Sequence, residues 1–292
     1  MRILVFKGLD DAVHLGEIDA LGIVHGLKHD GRIEQDGVLV ALDAQGRQRP
    51  LARTGTTTKL AEVTLLAPVP RPHRNIFCVG KNYHEHVKEF ANSGYDSSAT
   101  SDAPPESPIV FSKLPQSVIA TKAEILQDRA VSTDTDYEAE LGVIIGTGGR
   151  NISSSDAMSH VWAYTIINDV TARDVQKNHK QWLLGKSQDT FCPMGPWVVT
   201  RDEIDLANTR IQCWVNEELR QNATTDMMIF DVPTLIATIS HGITLLPGDI
   251  IATGTPSGVG IGFKPPRWLR PGDRVKIEIS GIGVLENAIA AR

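Results

Sequence analysis

Apolar and β-branched residues recur along this chain in short runs separated by Gly, Pro and polar turns, a spacing that predicts strands. MRILVF opens the chain as the first strand. VLVALDAQGR reads as a strand running into a turn, and TTTKLAEVTLL leads into the Pro-rich stretch APVPRPHR. That stretch predicts a linker. A small β-rich N-terminal domain over 1–70 is therefore expected before a larger domain over 71–292.

The larger part starts with a strand, Asn75 to Val79, followed by Gly80. A helix is expected over Tyr83 to Asn92, with Asn82 placed to cap it and Gly94 near its C-terminal end. The polar segment SGYDSSATSDAPPESP follows. A stretch that long without structure inside a compact domain is functional or mobile, so it reads as a lid or lid hinge. From Ile109 onward the pattern is mostly β: PIVF, SVIA, AELGVIIG, VWAYTIIN, PWVVT, IQCWVN, DIIATG and RVKIEIS. The Pro-Gly turns LLPGD and LRPGD each lead into a strand. Helices are expected near Ser154 to His160 and Val232 to Ser240, the second with Pro233 in its first turn and Gly242 just past its end. There is no internal repeat and no heptad pattern. The predicted fold class is β-rich α+β.

Composition narrows the function. At 292 residues, with 41% hydrophobic and 22% charged residues, the chain can bury a sizeable core and does not read as disordered. A net charge of -6 supplies no basic field for nucleic acid or an anionic membrane. No segment approaches the roughly 20 apolar residues that span a bilayer. Cys78, Cys192 and Cys213 are odd in number, widely spaced and without a CxxC pair, which predicts buried free thiols in a reducing compartment. The N-terminus lacks the pattern of a signal peptide. A cytoplasmic location is expected by default.

The most informative stretch is DYEAELGVIIG, residues 136–146. Side chains alternate faces along a strand, so Glu138 and Glu140 share one face. Burying two carboxylates together costs several kcal/mol unless a cation compensates. The alternative is an exposed strand face. Asp169, at the end of the apolar strand Trp162 to Asn168, adds a third acid. Three carboxylates without nearby His or Cys favour a hard cation, Mg²⁺, Mn²⁺ or Ca²⁺, over Zn²⁺. No phosphate loop is present, because GKS at 185–187 lacks the upstream glycine at the required spacing.

Five segments, GKNYHEHVKEF, DYEAELGVIIG, NDVTARDVQ, GKSQDTFCPMGPWVV and TGTPSGVG, occur in an order that resembles the fumarylacetoacetate hydrolase family over about residues 75–285. The resemblance implies a mixed β-roll catalytic domain, often preceded by a small N-terminal domain, and a homodimer. It implies Mg²⁺ or Mn²⁺ held by Glu138, Glu140 and Asp169, and a small β-diketo or 2-oxo acid as ligand. His86 and Glu89 match the family's catalytic pair, and their i, i+3 spacing sets both on one helical face. His84 is the rival, expected to face solvent. Lys186 matches the active-site lysine; without the motif it reads as an exposed loop lysine. Tyr83, Arg173, Gln176, Gly254 and Thr255 match substrate-contacting positions, with a bridge from Arg173 to Asp174 or Glu138 as the structural alternative. Gly258 and Gly260 read as turn glycines.

The expected reaction is hydrolysis of a C–C bond beside a carbonyl. His86, aided by Glu89, activates a water, the departing enolate is held by the cation and Lys186, and the lid closes over the site. Oxaloacetate decarboxylation, isomerase, hydratase or lyase chemistry on the same enolate, and a non-catalytic metal- and ligand-binding protein, are the alternatives.

Overall fold

The computed structural model describes residues 1–49, 51–95 and 103–292. Its first strand, β1 (Arg2–Lys7), buries four consecutive residues, Ile3 to Phe6, so both of its faces are covered. Strands β2 (Val13–Ile18) and β3 (Ile23–Leu27) continue from it as a meander. Two short helices follow, α1 (Ile33–Asp36) and α2 (Leu39–Gly46). The expected strand at VLVALDAQGR is thus corrected to a helix. Its apolar run is too short to separate the two periods, and Leu39, Val40, Ala41 and Leu42 are all buried in that helix. Strand β4 (Arg53–Lys59) then pairs with β3, and β5 (Thr64–Leu65) with β1.

The Pro-rich stretch leads to β6 (Ile76–Gly80), α3 (His84–Ala91) and β7 (Ile109–Lys113). Residues 96–102 of the expected lid lie outside the described residues. Asn82 does not cap α3. Tyr83 occupies that position without a side-chain cap, and the Asn82 amide instead joins Phe230 and Thr253. Short strands β8 (Val118–Ile119), β9 (Glu124–Gln127) and β10 (Thr135–Asp136) come next. The two long apolar runs form the antiparallel pair β11 (Ala139–Ile145) and β12 (Val161–Asn168). Between them the expected helix shrinks to one 3₁₀ turn, Ala157–His160, because Ser153, Ser155 and Asp156 bond one another in a turn.

After β12 come β13 (Thr171–Ala172), α4 (Arg173–His179), α5 (Leu183–Lys186) and β14 (Cys192–Thr200). The chain finishes with β15 (Arg210–Val215), β16 (Glu218–Thr224), α6 (Val232–Ser240), β17 (Ile250–Ala252), β18 (Arg274–Ile279) and β19 (Gly283–Ala291). Helix α6 begins as expected, with Asp231 accepting from the Thr234 amide and Pro233 in the first turn.

The main sheet runs β4-β3-β2-β1-β14-β12-β11-β17-β6-β7. Its N-terminal strands join through antiparallel pairing of Arg2 and Ile3 with Val199 and Val198. A second sheet, β16-β15-β18-β19-β9, packs against it. Along β11 the two faces separate. Leu141, Val143 and Ile145 pack with the second sheet's cluster, whereas Ile144 belongs to the cluster that holds Leu39 and Leu42. Glu140 has the parity of Ile144.

Ile3 ties the first strand to β14 and is 1% exposed, whereas Leu9 is 89% exposed. Ile3→Ala is expected to lower the unfolding free energy by about 2–5 kcal/mol, and Leu9→Ala to change it by under about 0.5 kcal/mol. Urea unfolding followed by circular dichroism and tryptophan fluorescence measures both, and equal effects would contradict the pairing.

Candidate active site

Several chain segments reach the same end of the main sheet. Ala139 pairs with Asn168, so the start of β11 and the end of β12 lie side by side. That register brings Glu138, Glu140 and Asp169 together, with ligand oxygens within 4.8 Å of one another. All three are buried, which removes the exposed-face alternative. The ladder continues to the site: the Asp169 amide donates to Glu138 O at 2.9 Å, and the Glu138 amide to Asn168 Oδ1 at 3.0 Å. Strand β17 runs antiparallel to β11 and parallel to β6, so Thr253 to Thr255 and Lys81 to Asn82 leave the sheet at this same end.

Cations surround the acids. Lys186 Nζ donates at 2.7 Å to both Glu138 Oε2 and Asp169 Oδ2. Arg173 Nε donates at 2.9 Å to Asp136 Oδ2, and Nη1 at 3.2 Å to Gln176 Oε1. Its Nη2 stands 2.7 Å from Glu138 Oε1 as an ion pair off the hydrogen-bonding direction. Arg173 thus bridges Asp136 and Glu138, while Asp174 accepts from Ser132 instead. Lys113, which carried no expectation, is fully buried. It donates at 2.6 Å to Asp169 Oδ1 and at 3.0 Å to Val170 O, and also contacts Lys186 O. Its only signal in the sequence is a lysine closing an apolar strand. Asp136 also carried none: its carboxylate accepts the amides of Gly260 and Ile261 at 2.7 and 3.1 Å.

Four carboxylates, Asp136, Glu138, Glu140 and Asp169, thus meet three cations, Lys113, Arg173 and Lys186. Burial opposes ionisation of Glu138, but Lys186 and Arg173 overcome it and hold its pKa at about 2. Glu140 goes the other way. Burial first, then the Asp169 and Glu138 charges, push it well above the carboxylate range, against a single 2.9 Å bond from the Gly254 amide. A divalent cation supplies the charge that this acid lacks, and an all-oxygen donor set selects a hard one. The residues therefore fit Mg²⁺ or Mn²⁺.

His86 is buried on α3 and His84 exposed. His86 Nδ1 lies 3.1 Å from Glu89 Oε2, and Glu89 Oε1 accepts the Gly258 amide at 2.9 Å. An ionised Glu89 can only accept, so the ring carries its proton on Nδ1 and its lone pair on Nε2. Thr255 donates to Ala139 O at 3.0 Å and accepts from Gln221 at 2.8 Å. Gly254 has φ +98, and a Cβ there would meet Asn82 Cβ at 2.7 Å, so only glycine aims this amide at Glu140. Tyr83 is buried, and its hydroxyl has no hydrogen-bond partner among the described residues. A small cavity is lined by His86, Glu138, Glu140, Gln176, Lys186 and Thr255, with Lys81 and Arg173 also on its wall. All three cysteines are buried and free.

Residues 75–290 match the family model for the fumarylacetoacetate (FAA) hydrolase C-terminal domain. The chain is 49% identical over 231 residues to oxaloacetate tautomerase YisK of Bacillus subtilis (strain 168), covering 79% of this chain and 74% of that protein. Among solved structures it resembles fumarylacetoacetate hydrolase from Exiguobacterium antarcticum, with TM-score 0.84 and 38% identity over 100% of both chains. It also resembles maleylpyruvate hydrolase from Sphingobium sp. SYK-6, solved with manganese(II) and pyruvate, with TM-score 0.72, 28% identity and coverage of 100% and 99%. The ordered motifs, the carboxylate geometry and these matches agree: this chain belongs to the fumarylacetoacetate hydrolase family.

Proposed function

We propose that this protein interconverts the keto and enol forms of a small 2-oxo dicarboxylic acid of the oxaloacetate kind, with Mg²⁺ or Mn²⁺ held by Glu138, Glu140 and Asp169. The observation that carries this reading is that His86, Lys186, Glu138 and Glu140 line one small cavity, with Asp169 clustered against the two glutamates. The likeness to a protein named oxaloacetate tautomerase selects the substrate class.

When bound, the divalent cation polarises the 2-oxo group as a Lewis acid. The protein does the rest. His86 Nε2 takes a proton from the carbon beside the carbonyl, while Glu89 holds Nδ1–H and stabilises the imidazolium. Negative charge develops on the 2-oxo oxygen, and the Lys186 ammonium stabilises it by a hydrogen bond. His86 then returns the proton to that oxygen. One C–H bond breaks and one O–H bond forms, so no water is consumed. Gln176 helps orient the ligand from the wall.

A second reading is the C–C hydrolysis expected from the motifs. It is favoured by the likeness to two solved proteins named as hydrolases. The same His86 would then activate water. Enol decay of oxaloacetate in the ultraviolet, measured beside cleavage of acylpyruvates, fumarylpyruvate and maleylpyruvate, separates the two. Fast acylpyruvate cleavage without tautomerisation would overturn the first reading.

Chelation by EDTA should abolish tautomerisation and added Mg²⁺ or Mn²⁺ restore it, and Glu140→Gln should eliminate Mg²⁺ binding in isothermal titration calorimetry. His86→Gln should cut kcat by about 10²–10⁴-fold with metal binding intact; a loss of binding instead would remove His86 from the role of base. Lys113→Met, which strips the partner from Asp169 Oδ1, should weaken Mg²⁺ affinity by about 10–100-fold, read by calorimetry independently of turnover. Unchanged affinity would make Lys113 a packing residue only.

A further inference from the structure

Trp182 stands one helical turn before Lys186, and the Lys186 amide donates to Trp182 O at 3.0 Å. Residues four apart on such a turn share one side, and both line the cavity that holds Glu138 and Glu140. The turn itself is held closely. A Cβ at Gly185 would lie 2.7 Å from the Gln176 nitrogen and 2.9 Å from Ala172 O, so α5 packs directly on the backbone of α4. At its end, the Ser187 amide donates to Leu183 O at 2.9 Å and the Ser187 hydroxyl accepts the Leu114 amide at 3.1 Å.

The indole is fixed as well. It occupies the place where a side chain at Gly80 would stand: a Cβ there would run into the ring, whereas its next neighbour, Phe111, is 3.7 Å away. Trp182 meets the rings of Phe111 and Phe90 edge-on, with centroids 5.1 and 6.4 Å apart. Both phenylalanines adjoin the reacting groups. The Phe90 ring stacks with His86, centroids 6.1 Å apart, and Lys186 Nζ stands 5.0 Å from the Phe111 centroid. That same Nζ donates to Glu138 and Asp169. Trp182 therefore completes an aromatic wall beside the base and the lysine. It is half-buried, so one side of the indole lines the cavity and the rest meets solvent. The facing walls carry charged and polar groups, Glu138, Glu140, Lys186 and Gln176 among them.

We propose that Trp182 is a specificity-determining residue that limits ligand length, admitting 2-oxo acids the size of pyruvate and oxaloacetate and excluding those with a longer apolar tail. The inference rests on the 2-oxo acid reading above. The ligand's oxygens belong with the cation-binding carboxylates and Lys186, and the carbon that gives up its proton belongs with His86. An apolar tail leaving that carbon is costly to lay against charged groups and has the aromatic wall as its apolar surface. There the indole already fills the space that Gly80 leaves open. Gly80, Phe90 and Phe111 bound the ring, so room for a tail is made only by breaking packed contacts.

Pyruvate, 2-oxohexanoate and 2-oxooctanoate share the 2-oxo acid group and differ only in the tail, and calorimetry on the Mg²⁺-loaded protein compares them. The wild-type protein should favour pyruvate over both longer acids. Trp182→Ala should shift the ratio toward the longer acids by about 10–200-fold, the range over which an apolar pocket discriminates a methylene group. Trp182→Leu should give a smaller shift in the same direction. Mg²⁺ affinity, measured first in each protein, reports that the fold and the carboxylate cluster persist. Thermal unfolding supplies a second readout: Gly80→Ala should lower the Tm of the wild-type protein and spare that of Trp182→Ala, because the added methyl meets that ring. Equal losses in both backgrounds, or a wild-type protein that binds short and long acids alike, would overturn the role. If oxaloacetate is tautomerised but both Trp182 variants leave the ratio unmoved, the inference falls and the proposed function stands. A ratio that shifts in a protein with no tautomerase activity overturns only the function. A wild-type protein that binds none of these acids overturns both.

Discussion

The structure turns on one local imbalance: Glu140 is buried beside Glu138 and Asp169 with no ion pair of its own among the described residues. Taking a carboxylate out of water costs several kcal/mol unless a partner repays it. Three of the site's four carboxylates have a cation in contact. Asp136 has Arg173 and the amides of Tyr137, Gly260 and Ile261, although burial still raises its pKa; Glu138 has Lys186 and Arg173, and Asp169 has Lys113 and Lys186. Glu140 has one amide, from Gly254, and two like-charged neighbours. The pocket is thus complete as a fold yet short of positive charge at one defined oxygen cluster. Glu138, Glu140 and Asp169 would hold a divalent cation there, and its charge would offset the shortfall.

The scaffold converts this requirement into strand register. Antiparallel pairing of Ala139 with Asn168 is what makes residues thirty positions apart into neighbours. The second sheet fastens the arrangement through Gln221. Its side-chain oxygen accepts the Ala139 amide, and its nitrogen donates to Thr255 and Pro256. One amide side chain therefore holds both the acidic strand and the loop after β17. A slip of one residue in β11 would send Glu138 and Glu140 to the opposite face, among Leu141, Val143 and Ile145.

Much of this was legible from sequence, and the limits have physical causes. The parity of Glu138 and Glu140 and the strand they open follow from local periodicity; His86 and Glu89 were picked out by the resemblance to the family motif, with the i, i+3 spacing setting them on one helical face. The β-rich class followed from the same periodicity as the glutamates. The α2 segment did not, because a run of five apolar residues buried on all sides suits either period. Asn82 reads as a helix cap from its neighbours alone, but tertiary contacts at Phe230 and Thr253 claim its amide. Lys113 and Asp136 were silent for a related reason: a lysine at a strand end and an acid before a tyrosine gain meaning only from partners 56 and 37 residues away. Strands β9, β16 and β19 were missed because polar residues interrupt them where one face meets solvent.

The same geometry constrains what Glu89 can do. Both its oxygens are engaged, one by His86 and one by the Gly258 amide. A fixed acceptor at Nδ1 orients the His86 ring and favours the tautomer with its proton there. The segment that anchors Glu89 is also the one that supplies Gly260 and Ile261 amides to Asp136, and Asp136 fixes Arg173 against Glu138. Glu89, which holds His86, and the acidic cluster are therefore fastened to one loop, so a disturbance of residues 258–261 moves both together.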